Sequence, residues 1–92
     1  MNSRRTRTQI YIDILRAIRK NNGKLKKTHI VYKANLTHSR LKGYLDFLIT
    51  KEFIEEKKIR NNNFFVVTEG GLKFLKEINK LRKISDAFGI PI

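Results

Sequence analysis

Cysteine is absent from this sequence of 92 residues. That excludes disulfides, thiolate metal sites and cysteine nucleophiles, and it fits a cytoplasmic setting without establishing one. Long apolar runs are missing as well. Hydrophobic residues make up 40% of the chain, but they fall in short periodic groups, none near the roughly 20 residues that a membrane-spanning helix needs. The segment Met1 to Thr8 is basic and polar and leads into the amphipathic stretch Gln9 to Asn21, where a secretory leader would carry an apolar core and a small-residue cleavage site. No membrane partner is expected.

Histidine is scarce: His29 and His38 stand alone, nine positions apart across a predicted turn, and match no common metal-ligand spacing. Glu55 and Glu56 are adjacent in a strand-like segment, so they point to opposite faces and cannot act as an acid-base pair across a substrate. Gly70-Gly71 lacks the lysine and the spacing of a phosphate loop. The sequence is expected to be no enzyme, with no metal, no cofactor and no small-molecule ligand.

Acidic residues are few, 8 against 21 lysines and arginines, for a formal net charge of +13. That is the balance of a polyanion binder. The excess is uneven, because residues 1 to 33 hold ten basic side chains and a single acid, Asp13.

A chain of this length builds one core, so residues 1–92 are read as one domain. Ile10, Ile14, Ala17 and Ile18 recur at helical spacing, widened by Tyr11 and Leu15, and Asn21-Asn22-Gly23 ends this first helix. Lys24 to Lys26 reads as a connector, after which Thr28 is a candidate cap for a second helix burying Ile30, Val31 and Ala34. Asn35-Leu36-Thr37 is a tight turn, with Thr37 capping a third helix whose apolar stripe is Leu41, Leu45, Leu48 and Ile49.

Beyond Glu52 the pattern becomes strand-like: Phe53 to Ile59 and Phe64 to Thr68 flank the polar turn Arg60-Asn61-Asn62-Asn63, giving a β-hairpin. Thr68 is a candidate cap for a last helix, residues 69–84, carrying Leu72, Phe74, Leu75, Ile78 and Leu81. Gly70 and Gly71 are expected to weaken its first turn. The apolar tail 85–92 receives no assignment, and residues 1–7 read as a flexible basic arm. The fold class is α+β, a winged helix-turn-helix with three helices, a two-stranded wing and a C-terminal helix.

The runs Lys27 to Thr37 (KTHIVYKANLT) and Leu41 to Ile49, with Phe53-Ile54 and Val67 to Gly71, resemble the small winged-helix regulators of archaea and of their viruses. The resemblance spans roughly residues 5 to 82. It implies DNA binding, usually as a homodimer held partly by the C-terminal helix, in the cytoplasm, or the host cytoplasm if the chain is viral. One departure is Glu52, where such proteins usually carry glycine; another is the shorter final helix, which leaves the mode of dimerisation open.

With Leu41, Leu45 and Leu48 inward, helix 37–51 turns Ser39, Lys42, Gly43 and Asp46 outward, with Arg40 on the flank and His38 in the first turn. His38, Ser39, Arg40, Lys42 and Gly43 are the candidate recognition surface for the major groove. Arg40 is the candidate for a bidentate guanine contact. An ordinary solvated helix face is the competing reading. Lys57, Lys58, Arg60, Asn61, Asn62 and Asn63 place charge and amide donors on a wing, residues 57–63, suited to the minor groove or its phosphates. Arg4, Arg5, Arg7, Lys26, Lys27 and Thr28 are candidate backbone contacts.

Strand alternation sends Phe65 and Val67 inward and leaves Phe64 and Val66 needing cover. Phe74, Ile78, Leu81 and Phe88 also exceed one small core, so they are the candidate homodimer interface. The function expected is a sequence-specific transcription regulator on double-stranded DNA. An architectural DNA coater, an RNA-binding module and a protein-interaction module remain alternatives.

Overall fold

The computed structural model describes residues 5–91. Four helices, α1 (Arg7–Lys20), α2 (Lys27–Ala34), α3 (His38–Thr50) and α4 (Glu69–Phe88), pack with a small sheet of β1 (Lys24–Leu25), β2 (Ile54–Ile59) and β3 (Asn62–Val67). The sheet is antiparallel with strand order β1-β3-β2. This is the α+β winged helix-turn-helix the sequence implies.

Helix α1 lies at the centre. Ile10, Ile12, Ile14, Leu15, Ala17 and Ile18 are all buried, which wraps apolar contact around most of its circumference. Thr6 caps it by accepting from the Gln9 amide. The core then takes Ile30 and Ala34 from α2, Leu41, Leu45 and Leu48 from α3, Leu25, Ile54 and Phe65 from the sheet, and Leu75 from α4.

The expected connector at Lys24 to Lys26 is in fact partly strand. Lys24 pairs with Val66 and Leu25 with Phe65, so Leu25 is pinned by β3 and fully buried. Helix α2 therefore starts directly after the strand, with Lys26 at its N-cap and no side-chain cap bond; Thr28 is not the cap but lies inside the first turn. Thr37 and Thr68 do cap α3 and α4, accepting from the amides of Arg40 and Gly71.

In the hairpin, Ile59 opposes Asn62, which shortens the turn to Arg60-Asn61 and places Asn62 and Asn63 in β3. Both turn residues have positive φ, 50° and 66°, the two-residue turn whose twist matches that of the flanking strands. Phe64 finds cover within the chain: the Lys24 and Lys26 ammonium groups stand 5.3 and 5.8 Å from its ring centroid.

Gly71 has a structural reason. A Cβ there would collide with the Phe53 carbonyl oxygen and sit 2.8 Å from Val67 Cγ2, so glycine lets α4 press against the strand entrance. The last helix also runs further than its periodicity suggests, ending at Phe88, with Gly89 in the left-handed conformation closing it.

Candidate nucleic-acid interface

The helix-turn-helix turn is built on Asn35, whose φ of 55° and ψ of 55° are left-handed, a conformation asparagine tolerates well. Leu36 then drops into the core and its amide bonds back to Val31, so α3 leaves at a fixed angle to α2. With Leu41, Leu45 and Leu48 buried, His38, Ser39, Arg40, Lys42, Gly43 and Asp46 are all exposed. Lys42 is tied to Asp46 at 3.0 Å, one turn away and exposed.

A cluster of sequence-predicted residues flanks each side of α3. Toward the wing, a cleft of about 260 Å³ gathers Lys27, Lys42, Asp46, Glu56 and Asn63 over an apolar floor of Leu45, Ile49 and Phe65. On the other flank, a groove between α1 and α3 gathers Arg7, Arg40 and Gly43 with Tyr11 and Tyr44. Lys57, Lys58, Arg60 and Asn61 lie toward the hairpin end, all exposed. Lys26 sits over Phe64 on the sheet, and Thr28 is exposed on α2.

The basic arm is anchored from Arg5 onward; Arg4 lies outside the described residues. Arg7 is the first residue of α1. Arg5 donates to Asp13 at 2.8 Å and to the Asn35 carbonyl at 3.0 Å, so both terminal guanidinium nitrogens are engaged. The chain of bonds continues, as Gln9 donates to the other Asp13 oxygen at 2.8 Å and Arg82 donates to Gln9 at 2.7 Å. A polar relay therefore runs from α4 through α1 to the carbonyl of the helix-turn-helix turn. Arg16 donating to Asn79 at 3.1 Å braces α1 on α4 a second time.

Of the four candidate interface residues, Phe74 stacks on Phe53 with centroids 5.0 Å apart, and Ile78 packs half-buried against the core. Leu81 and Phe88 remain 51% and 75% exposed, joined by Ile84 at 55%. Sequence reasoning missed Ile84, and it missed Tyr11, which reads as part of the α1 stripe, and Tyr44, both of which line the α1–α3 groove. Tyr32, 83% exposed on α2, was also unmarked. Among the described residues, no group of three His, Cys, Asp or Glu side chains is placed to hold a metal ion, and no helix is long and apolar enough to cross a membrane.

Residues 4–86 match the winged helix-turn-helix family, and the chain belongs to it. It is 32% identical over 84 residues to the uncharacterized protein MJ0287 of Methanocaldococcus jannaschii, covering 91% of this chain and 80% of that one. Among the curated relatives it matches, the chain spans from 36% to 80% of their length. Its fold is similar to that of Sso10a-2, a DNA-binding protein from Sulfolobus solfataricus, with TM-score 0.73, 26% identity, and coverage of 92% of this chain and 85% of that one. It is similar also to F93 from STIV, a winged-helix DNA-binding protein, with TM-score 0.72 and 22% identity over 87% of this chain and 92% of that one.

Proposed function

We propose that this protein binds double-stranded DNA as a sequence-specific transcription regulator, with α3 in the major groove and the wing on the minor groove or backbone. The observation that carries this reading is the exposed face of α3 with cations on both of its flanks, Lys27 and Lys42 beside Asp46 and Glu56 on one and Arg7 with Arg40 on the other. An α-helix about 10–12 Å across fills a major groove about 12 Å wide, so its flanks meet the two phosphate backbones while its outer face meets base edges. Lys27 with Lys42 on one flank and Arg7 with Arg40 on the other supply cations where those backbones run. Ser39 is the base-edge candidate nearest the centre, Lys42 reaches toward base edges or phosphates from its flank, and Arg60 at the hairpin turn is the minor-groove candidate.

The functional unit is a homodimer formed through α4. Leu81, Ile84 and Phe88 leave an apolar stripe on its outer side, and half-sites about 34 Å apart would match such a pair. Residues 1–92 act as a single domain.

The Lys42–Asp46 ion pair favours a second reading, an architectural DNA coater, because it occupies one of the few base-edge donors on α3. Fluorescence anisotropy decides between them, using random duplex and duplexes from the region upstream of the protein's own gene at several salt concentrations. A preference of at least about a thousandfold for one upstream duplex supports the regulator. Equal affinity for all duplexes supports the coater, and no binding near physiological salt rejects both.

A further inference from the structure

We propose that the groove between α1 and α3 is a phosphodiester seat, in which Arg7 and Arg40 grip a single backbone phosphate, so that Arg40 is a backbone contact and not a guanine reader. The inference rests on the DNA-binding reading above.

The groove, about 330 Å³, is lined by Arg7, Tyr11, Arg40, Gly43 and Tyr44, with no carboxylate among them. Three cations on the described surface stand in ion pairs, Arg5 with Asp13, Lys42 with Asp46 and Lys80 with Glu77. Among the described residues, Arg7 and Arg40 have no such partner. Two guanidinium groups on one concave wall repel each other, and an anion between them relieves that repulsion while accepting from both forks.

The wall behind them is set by packing. The Tyr11 ring stacks on Phe47 at 4.5 Å and meets Tyr44 edge to face at 5.5 Å, which holds both phenols at the groove. Gly43 completes the shape. A Cβ at Gly43 would meet nothing within 4 Å, so the fold does not require glycine at this mid-helix position, where it costs about 1 kcal/mol. Its missing side chain leaves room for a bulky chain to come close to α3, as a sugar-phosphate backbone does. The location selects a duplex phosphate over a free anion: the groove opens along the recognition face, opposite the Lys27–Lys42–Asn63 cleft, where the second strand of a duplex holding α3 has to pass.

The test follows the salt dependence of affinity for the full chain on two short duplexes, one rich in G·C and one of A·T alone, with Arg7→Gln, Arg40→Gln, their double variant and Lys76→Gln as a control on exposed α4. Each single arginine variant is expected to bind both duplexes more weakly by the same factor and with a shallower salt slope, by up to about 0.9. The double variant should lose less than the product of the single losses, because the two forks share one phosphate. Lys76→Gln should match the parent. The proposal is overturned if Arg40→Gln weakens only the G·C duplex with an unchanged slope, or if Arg7→Gln binds like the parent. Failure of the parent itself to bind either duplex rejects the DNA reading, and the seat with it.

Discussion

Arg5 holds Asp13 at 2.8 Å through one guanidinium nitrogen while the other reaches the carbonyl of Asn35, the left-handed residue at the helix-turn-helix turn. Both side chains of the pair are only about a quarter exposed, at 28% and 26%. The pair is thus less screened than surface ion pairs, which contribute about 0.2–1 kcal/mol, and it is reinforced by charge-assisted hydrogen bonds. Asp13→Ala is expected to destabilise the fold by about 1–2 kcal/mol, a drop in Tm of several degrees for a domain this small. Because Asp13 also accepts from Gln9, which accepts from Arg82, a double-mutant cycle between Arg5→Ala and Arg82→Ala should show coupling. Strictly additive losses in urea denaturation would mean that the relay does not connect α4 to the turn.

Two glycines are expected to respond to alanine with opposite signs. At Gly71 the added methyl has nowhere to go against the Phe53 carbonyl and Val67, so Gly71→Ala should cost roughly 3 kcal/mol or more. At Gly43 the space is open and the residue is helical, so Gly43→Ala should stabilise by about 1 kcal/mol. Thermal melts of the two variants check both. If DNA runs close along α3 as proposed, the same Gly43→Ala variant should bind it less tightly despite its higher Tm.

What the sequence makes legible follows from what periodicity can carry. Helices α1 and α3 were readable because Ile10, Ile14 and Ile18, and Leu41, Leu45 and Leu48, repeat at helical spacing and are indeed buried. A strand of two residues has no period, so Lys24-Leu25 looked like a connector although Leu25 is a core residue. Thr28 looked like a cap because its residue type suits one, whereas the ladder to β3 fixes where α2 begins. The hairpin turn reads as four residues because all four are polar, and only the register Ile59–Asn62 limits it to two. In the candidate site, single residues were visible but their grouping was not. Nothing in the sequence places Arg7 beside Arg40, or Arg5 against Asn35, since those meetings depend on how α1 crosses the helix-turn-helix.

Glu52 sits in the left-handed region, with φ of 63°, at the exit from α3, where the family resemblance implies glycine. A residue with a Cβ pays about 1–2 kcal/mol in that conformation. Its backbone is nevertheless held: its amide bonds to Ile49, its carbonyl accepts from Thr68, and the Phe53 amide reaches Leu48. Glu52→Gly should retain those bonds and remove the strain, raising stability by about 1 kcal/mol in equilibrium unfolding. An unchanged or lower midpoint would show that the Glu52 side chain supplies a compensating interaction.

The exposed stripe on α4 is the place to separate folding from assembly. Phe74 is spent on Phe53, and Ile78 on the core, so substituting either would damage the protomer whatever its oligomeric state. Leu81 and Phe88 are at least half exposed, and replacing them with lysine removes apolar surface that the single chain does not bury. Leu81→Lys with Phe88→Lys should therefore leave the fold of the protomer and its circular dichroism intact. If α4 forms the dimer, the same variant should sediment as a monomer at concentrations where the parent is a dimer. It should also bind DNA more weakly on a two-half-site duplex than on one half-site, relative to the parent, because the energy of the second site is no longer gained in the same event. A parent chain that already sediments as a monomer, or a doubly substituted chain that still pairs, would remove α4 as the dimer interface and leave the apolar stripe without that role.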